Sequence, residues 1–169
     1  MTYMAKKKKQ KTNAIRLVEQ QKIAYQEHEY QWSEENLGAA HVGEQVGMDA
    51  SKIFKTLVAV GNKTGPIVAV IPSDHELDLK KIAKASQNKK VEMLPMRQLE
   101  EMTGYIRGGC SPIGMKKLFP TFLDESAKEQ QTIAVSAGKR GLQMELDPLA
   151  IAKLTRGQFA PITQDQENA

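Results

Sequence analysis

The stretch IFKTLVAVGNKTGPIVAVIP, residues 53–72, decides the fold. Two β-branched apolar runs flank GNKTG, which supplies two glycines and an asparagine, so the segment reads as a β-hairpin. Alternation along the first strand places Lys55 on the same face as Ile53, Leu57 and Ala59. A lysine among apolar neighbours is costly to bury unpaired. Its ammonium either reaches water at a strand end or is aimed at an anionic ligand.

Toward the N-terminus, Thr12 or Asn13 can cap a helix to about Lys22, with Ile15, Leu17, Val18 and Ile23 as its apolar stripe. YQEHEYQW, residues 25–32, alternates and puts His28, Tyr30 and Trp32 on one face of a strand. Residues 38–47 read as a short helix. Beyond the hairpin, a helix is expected at about 78–87, a short strand around VEML and a helix around MRQLEEM. KLFPTFLD, TIAVSAG and LQMEL follow as strand candidates, and Asp147 with Pro148 gives the N-cap and first-turn proline of a last helix, DPLAIAKLT. FAPI closes the series as a strand. Strands broken by short helices, without regular alternation of strand and helix, indicate an α+β domain around a mixed sheet.

At 169 residues the chain is expected to form one domain over residues 12–163, between disordered tails at 1–11 and 164–169. Apolar residues make up 40% and charged residues 26%, as in ordinary globular proteins. No apolar run reaches the length of a membrane span, and MTYMAKKKKQK lacks the apolar stretch of a secretory signal. A single cysteine excludes an internal disulfide, which suits a reducing cytoplasm. The net charge of +4 sits in the tail: five lysines precede residue 12, and without them 19 basic residues face 20 acidic ones. The body therefore lacks the charge excess needed to coat long duplexes, and any nucleic-acid contact must be concentrated at one place.

Two glycine-bearing loops could form such a place. GYIRGGCSPIG, residues 104–114, lets backbone approach a ligand through Gly108 and Gly109, while Ser111 and Pro112 stiffen its exit. It does not carry the GxxxxGK[ST] pattern of a phosphate-binding P-loop. SAGKRGLQMEL, residues 136–146, presents Lys139 and Arg140 together on a turn, and Arg107, Lys116 and Lys117 flank the first loop. If the loops meet, they make a compact basic site suited to a phosphorylated strand end. Taken singly, each basic pair is more often just a solvated turn. His28, His41 and His75 are scattered without metal-ligand spacing, so neither metal nor cofactor is expected. Cys110 has no sequence-local base.

KIFKTLVAV, TGYIRGGCSPIG followed by two lysines, and VSAGKRGLQMEL together resemble, in order and spacing, the YbaK-type bacterial Cys-tRNA(Pro) deacylases, in their free-standing EbsC form. The likeness runs from about Thr12 to Ile162. It implies a curved, largely antiparallel, barrel-like mixed sheet with surrounding helices. It also implies in-trans editing of mischarged tRNA at its 3′ CCA end, in a transient complex with prolyl-tRNA synthetase. A pocket that discriminates by size separates cysteine from proline by only about 1–3 kcal/mol, which is why an editing site is useful. The resemblance assigns Lys55 to the substrate's 3′-terminal region, and matches Tyr30 and Gly108 to family pocket positions. A loop phenylalanine of relatives falls near Leu37, and a polar, often acidic position is Gln143.

Members of this family lack an enzyme nucleophile: the cysteinyl thiol attacks its own ester and leaves as a thiolactone. That implies a placement role for Gly108 and Gly109 and a packing role for Cys110, where many relatives have an aliphatic residue. Hydrolytic editing of Ala-tRNA(Pro), a non-catalytic tRNA- or synthetase-binding module, and a cysteine-based redox enzyme are the competing readings.

Overall fold

The structure, a computed structural model, describes residues 11–34 and 39–165. Of the expected site residues, Leu37 lies outside them, as does the lysine run of the N-terminus.

The hairpin forms as read. β2 (Phe54–Gly61) pairs antiparallel with β3 (Gly65–Pro72), with Gly61 opposite Gly65 across a three-residue turn. Gly65 takes φ +74°, a conformation glycine adopts without penalty. Asn88 clasps this turn from a distance. Its carbonyl accepts from the amides of Lys63 (2.8 Å) and Thr64 (3.1 Å), and its amide donates to Thr64 Oγ1 and Ser86 Oγ. Gly61 has to be glycine because a Cβ there would fall 2.2 Å from the Asn88 amide.

The eight strands among the described residues divide between two sheets. The larger has the order β4-β2-β3-β5-β8, with β4 (Val91–Met93), β5 (Thr121–Asp124) and β8 (Gln158–Ala160). Its β3–β5 and β5–β8 pairs are parallel and the others antiparallel. The smaller is antiparallel, in the order β1-β7-β6, with β1 (Gln26–Glu29), β6 (Ile133–Lys139) and β7 (Leu142–Leu146). The expected α+β class is what the molecule shows. Its strands form two sheets rather than one continuous surface, joined where Ile53, just ahead of β2, bridges Ala134 of β6.

β3 explains why the hairpin sequence is apolar without interruption: both of its faces are covered. Val68 and Val70 join Phe54, Leu123, Val135 and Met144 in a core between the sheets. This core is closed by α1 (Asn13–Gln20) and α5 (Pro148–Thr155). Ile67, Ala69 and Ile71 pack on the opposite side with Ile82 and Ala83 of α3 (Leu79–Ser86). α1 and α5 begin at expected caps, Thr12 and Asp147, and α3 begins at Asp78; each cap side chain accepts from first-turn amides. α2 (Ala39–Val46) and the shorter α4 (Leu99–Thr103) are the other α-helices among the described residues. No helix among the described residues is long and apolar enough to cross a membrane.

Because Asn88 satisfies two turn amides at once, Asn88→Ala is expected to cost about 1–3 kcal/mol in urea unfolding. The m-value should be unchanged, since the folded surface stays the same.

Candidate functional site

The junction of the two sheets leaves a cavity of about 120 Å³. Tyr30 and Trp32 reach it from the segment after β1, residues 53–56 from the start of β2, Gly108 and Cys110 from the glycine loop, and Ser136 and Gln143 from β6 and β7. The alternation read in YQEHEYQW continues past the end of β1: His28, Tyr30 and Trp32 are half-buried, whereas Glu27, Glu29 and Gln31 are exposed. Gln143 lies on the central strand of its sheet, opposite His28 on one side and Ser136 on the other.

The glycine loop is a tight piece of backbone. The Gly109 amide donates to the carbonyl of Ile106 (2.9 Å), closing a turn whose third residue, Gly108, has φ +86°. That is the positive φ of a type II turn, which asks for glycine. The Tyr105 hydroxyl donates to the Ile113 carbonyl (2.7 Å) across the loop, and the Ser111 hydroxyl accepts from the Ile113 amide. Burial and the nearby Cys110 push the Tyr105 phenol up to about 12.

The two loops meet backbone to backbone. A Cβ on Gly109 would stand 2.9 Å from the Arg140 amide nitrogen and from Lys139 backbone atoms, and one on Gly108 would stand 2.5 Å from the Trp32 indole nitrogen. Arg140 ties the arrangement together. Its guanidinium lies 3.9 Å from the centre of the Trp32 ring, a cation–π stack, and its Nε donates to the Arg107 carbonyl (2.9 Å).

Lys139 and Arg140 are exposed and line an adjoining cavity of about 430 Å³ with Lys11, Glu27 and Glu29; Tyr30 walls both spaces. Lys55 sits at the second position of β2 with its ammonium 4.0 Å from the exposed carboxylate of Glu76. A pair that loose, with Glu76 three-quarters exposed, leaves the lysine open to a stronger anion.

Three buried side-chain polar atoms lack a partner among the described residues: Trp32 Nε1, Thr56 Oγ1 and Gln143 Oε1. The three residues line the 120 Å³ cavity, with the unpartnered atoms themselves covered by protein. An unmade buried hydrogen bond costs about 1–3 kcal/mol, so these atoms are a cost of packing concentrated around one space. Cys110 is inert. Burial pushes its thiol up to about 12, leaving it protonated and poorly nucleophilic near neutral pH. No group of three or more potential metal ligands occurs among the described residues.

Of the residues singled out in the sequence, Lys55, Tyr30, Gly108 and Gln143 share the smaller cavity, and Lys139 and Arg140 border the larger. Gly109 supports the site from behind, with its amide already committed to the turn. Ser111 and Pro112 do not reach it: Ser111 is fully buried within its own loop, and Pro112 lines a separate groove beside Leu17 and Met115. Trp32, Thr56 and Ser136 were not among the candidates. Trp32 shared the Tyr30 face, a signal that was present; Thr56 and Ser136 carry none, because only the junction of the sheets turns them to the cavity.

Residues 34–154 match the family model of the aminoacyl-tRNA editing domain. EbsC of Enterococcus faecalis (strain ATCC 700802 / V583), for which a Cys-tRNA(Pro)/Cys-tRNA(Cys) deacylase activity has been proposed, is 66% identical over 95% of this chain and 98% of its own. A solved structure of a proposed trans-editing enzyme for prolyl-tRNA synthetase superposes with a TM-score of 0.77 at 22% identity, over 93% of this chain and all of that one. Another crystal structure, of a protein without an assigned function, gives 0.81 at 19% identity, over 90% and 100%.

Gly108 and Gly65 share a positive φ, but only Gly108 has a neighbour where a Cβ would go. Gly65→Ala is expected to cost only the left-handed strain of about 1–2 kcal/mol. Gly108→Ala should cost more in the same unfolding assay, since the Trp32 ring must also move.

Proposed function

The chain belongs to the aminoacyl-tRNA editing domain family, and from that premise we propose that it deacylates tRNA mischarged with cysteine, Cys-tRNA(Pro) and Cys-tRNA(Cys). The observation that carries the reading is the convergence of Tyr30, Lys55, Gly108 and Gln143 on a cavity of about 120 Å³. That volume suits a small amino-acid side chain, well below the roughly 300–1,000 Å³ of drug-sized ligand sites. The adjoining 430 Å³ cavity, with Lys11, Lys139 and Arg140 on its rim, takes the terminal nucleotide. Tyr30, on the wall between them, stands at the aminoacyl–ribose junction.

The reactive thiol comes with the substrate. Its sulfur attacks the ester carbonyl carbon, the bond from that carbon to the ribose oxygen breaks, and the thiol proton ends on the freed oxygen. The products are cysteine thiolactone and tRNA with an intact 3′ end, and no co-reactant is consumed. The protein contributes placement: it holds sulfur and carbonyl close in a space too small for extended conformers, a form of help that can supply a large share of a barrier. Lys55 steadies an anionic oxygen of the 3′-terminal region, displacing its loose contact with Glu76. Cys110, held protonated by burial, takes no part beyond walling the space.

A near-neutral body with one compact basic rim has little with which to read a whole tRNA. We assign tRNA identity to prolyl-tRNA synthetase, met in a transient complex.

Deacylation of Cys-tRNA(Pro) by Lys55→Ala and Cys110→Ala tests this. Losing a charged hydrogen bond of about 1.5–3 kcal/mol should cut kcat/KM of Lys55→Ala about 10- to 100-fold. Cys110→Ala should keep most of its activity. A fully active Lys55→Ala or a dead Cys110→Ala would remove the mechanism.

A further inference from the structure

Among the described residues, the mouth of the larger cavity holds no excess of positive charge. Lys11, Lys139 and Arg140 stand there with Glu27 and Glu29. Glu19 adds a third carboxylate: it takes the Lys11 ammonium at 2.6 Å and shares the Tyr25 hydroxyl with Glu27. Three cations thus meet three carboxylates, on a body that counts 19 basic against 20 acidic residues once the five lysines before residue 12 are set aside. A tRNA whose last nucleotide lies in this cavity brings the phosphates of its preceding nucleotides to the same mouth. Such a balance offers those phosphates no net attraction.

The missing charge is attached at that place. Lys6, Lys7, Lys8 and Lys9 stand two to five residues ahead of Lys11, and no other stretch of the sequence has more than two basic residues in succession. A chain spans at most about 3.6 Å per residue, so Lys6 stays within about 18 Å of Lys11 whatever path the segment takes. A ligand that meets these lysines therefore passes the mouth of the cavity. The Lys11–Glu19 pair is exposed on both sides, 56% and 37%, and an exposed pair yields to a phosphate strand at little cost.

We propose that Lys6, Lys7, Lys8 and Lys9 bind the phosphates of the nucleotides that precede the tRNA's 3′-terminal adenosine, holding the strand whose end lies in the cavity. The contact reads backbone charge and no sequence, so it supplies affinity and leaves tRNA identity to the synthetase. The inference rests on the deacylase reading above.

A quadruple variant, Lys6→Gln, Lys7→Gln, Lys8→Gln and Lys9→Gln, tests this against the wild type by filter binding of tRNA(Pro) and single-turnover deacylation of Cys-tRNA(Pro). Each phosphate contact adds about 0.7–0.9 to the slope of log affinity against log salt, so the variant's slope should be shallower by about 3, and wild-type affinity should fall roughly 60-fold more than the variant's between 50 and 200 mM salt. The rate at saturating enzyme should be unchanged. So should deacylation of 3′-cysteinyl-adenosine, which has no upstream phosphate. Equal salt slopes overturn the inference, and so does a defect that persists on cysteinyl-adenosine. Loss of binding to anionic phospholipid vesicles with tRNA affinity intact overturns it as well, moving the lysines to a membrane surface. Four lysines added after Ala169 in the variant return the net charge at a distant place, since Asp165 is tied to Lys81 of α3 on the far side of the larger sheet. They should not restore the slope; full restoration would show that net charge suffices and overturns the placement. A wild-type protein that leaves Cys-tRNA(Pro) intact would instead remove the deacylase reading itself.

Discussion

The site depends on one close approach: the backbone of the glycine loop lying directly on the backbone of the Lys139–Arg140 turn. Gly109 has no room for a side chain because main-chain atoms of Lys139 and Arg140 occupy the place a Cβ would take. Once that contact is made, Gly108 falls into its positive φ against Trp32, and Arg140 can reach both the Trp32 ring and the Arg107 carbonyl. Three segments far apart in sequence then share one wall. The start of β2, fixed to the other sheet at the Ile53–Ala134 bridge, supplies the facing wall with Lys55 and Thr56.

The cavity enclosed in this way carries a standing energetic cost. Unpartnered polar atoms on Trp32, Thr56 and Gln143 each weaken the folded state by about 1–3 kcal/mol relative to a satisfied or apolar wall. The remaining polar architecture is satisfied by contrast. Asn88, Thr103 and Ser111 are all buried, and all are hydrogen-bonded to neighbouring backbone or side chains. Among the described residues, the unsatisfied atoms therefore belong to residues that line the cavity.

Much of the fold could be read from the residues alone. The hairpin over 53–72, the caps at Thr12 and Asp147, and the order of strands and helices all rest on local rules of turn chemistry and periodicity, and the structure follows them. The division into two sheets and the parallel pairing of β3, β5 and β8 could not be read, because both are set by long-range packing. For the site, motif and face were legible in Lys55, Tyr30 and Gly108. What each glycine does was not. Gly108 and Gly109 are adjacent and alike in sequence, yet one borders the cavity while the other spends its amide on Ile106. Ser111 and Pro112 belong to the same motif but serve only the loop's own rigidity. Thr56 and Ser136 reach the cavity through the geometry of the sheet junction, for which no local signal exists.

The account places the reactive thiol on the substrate and gives the protein the work of confinement. Its most direct test is single-turnover deacylation of one tRNA(Pro) charged either with cysteine or with serine, which differs by the sulfur alone. Loss of cysteine with serine left at its uncatalysed rate is the predicted result. Comparable turnover of the serine-charged tRNA would contradict it, since a hydroxyl of ordinary reactivity cannot replace the thiol and the site would have to be activating water.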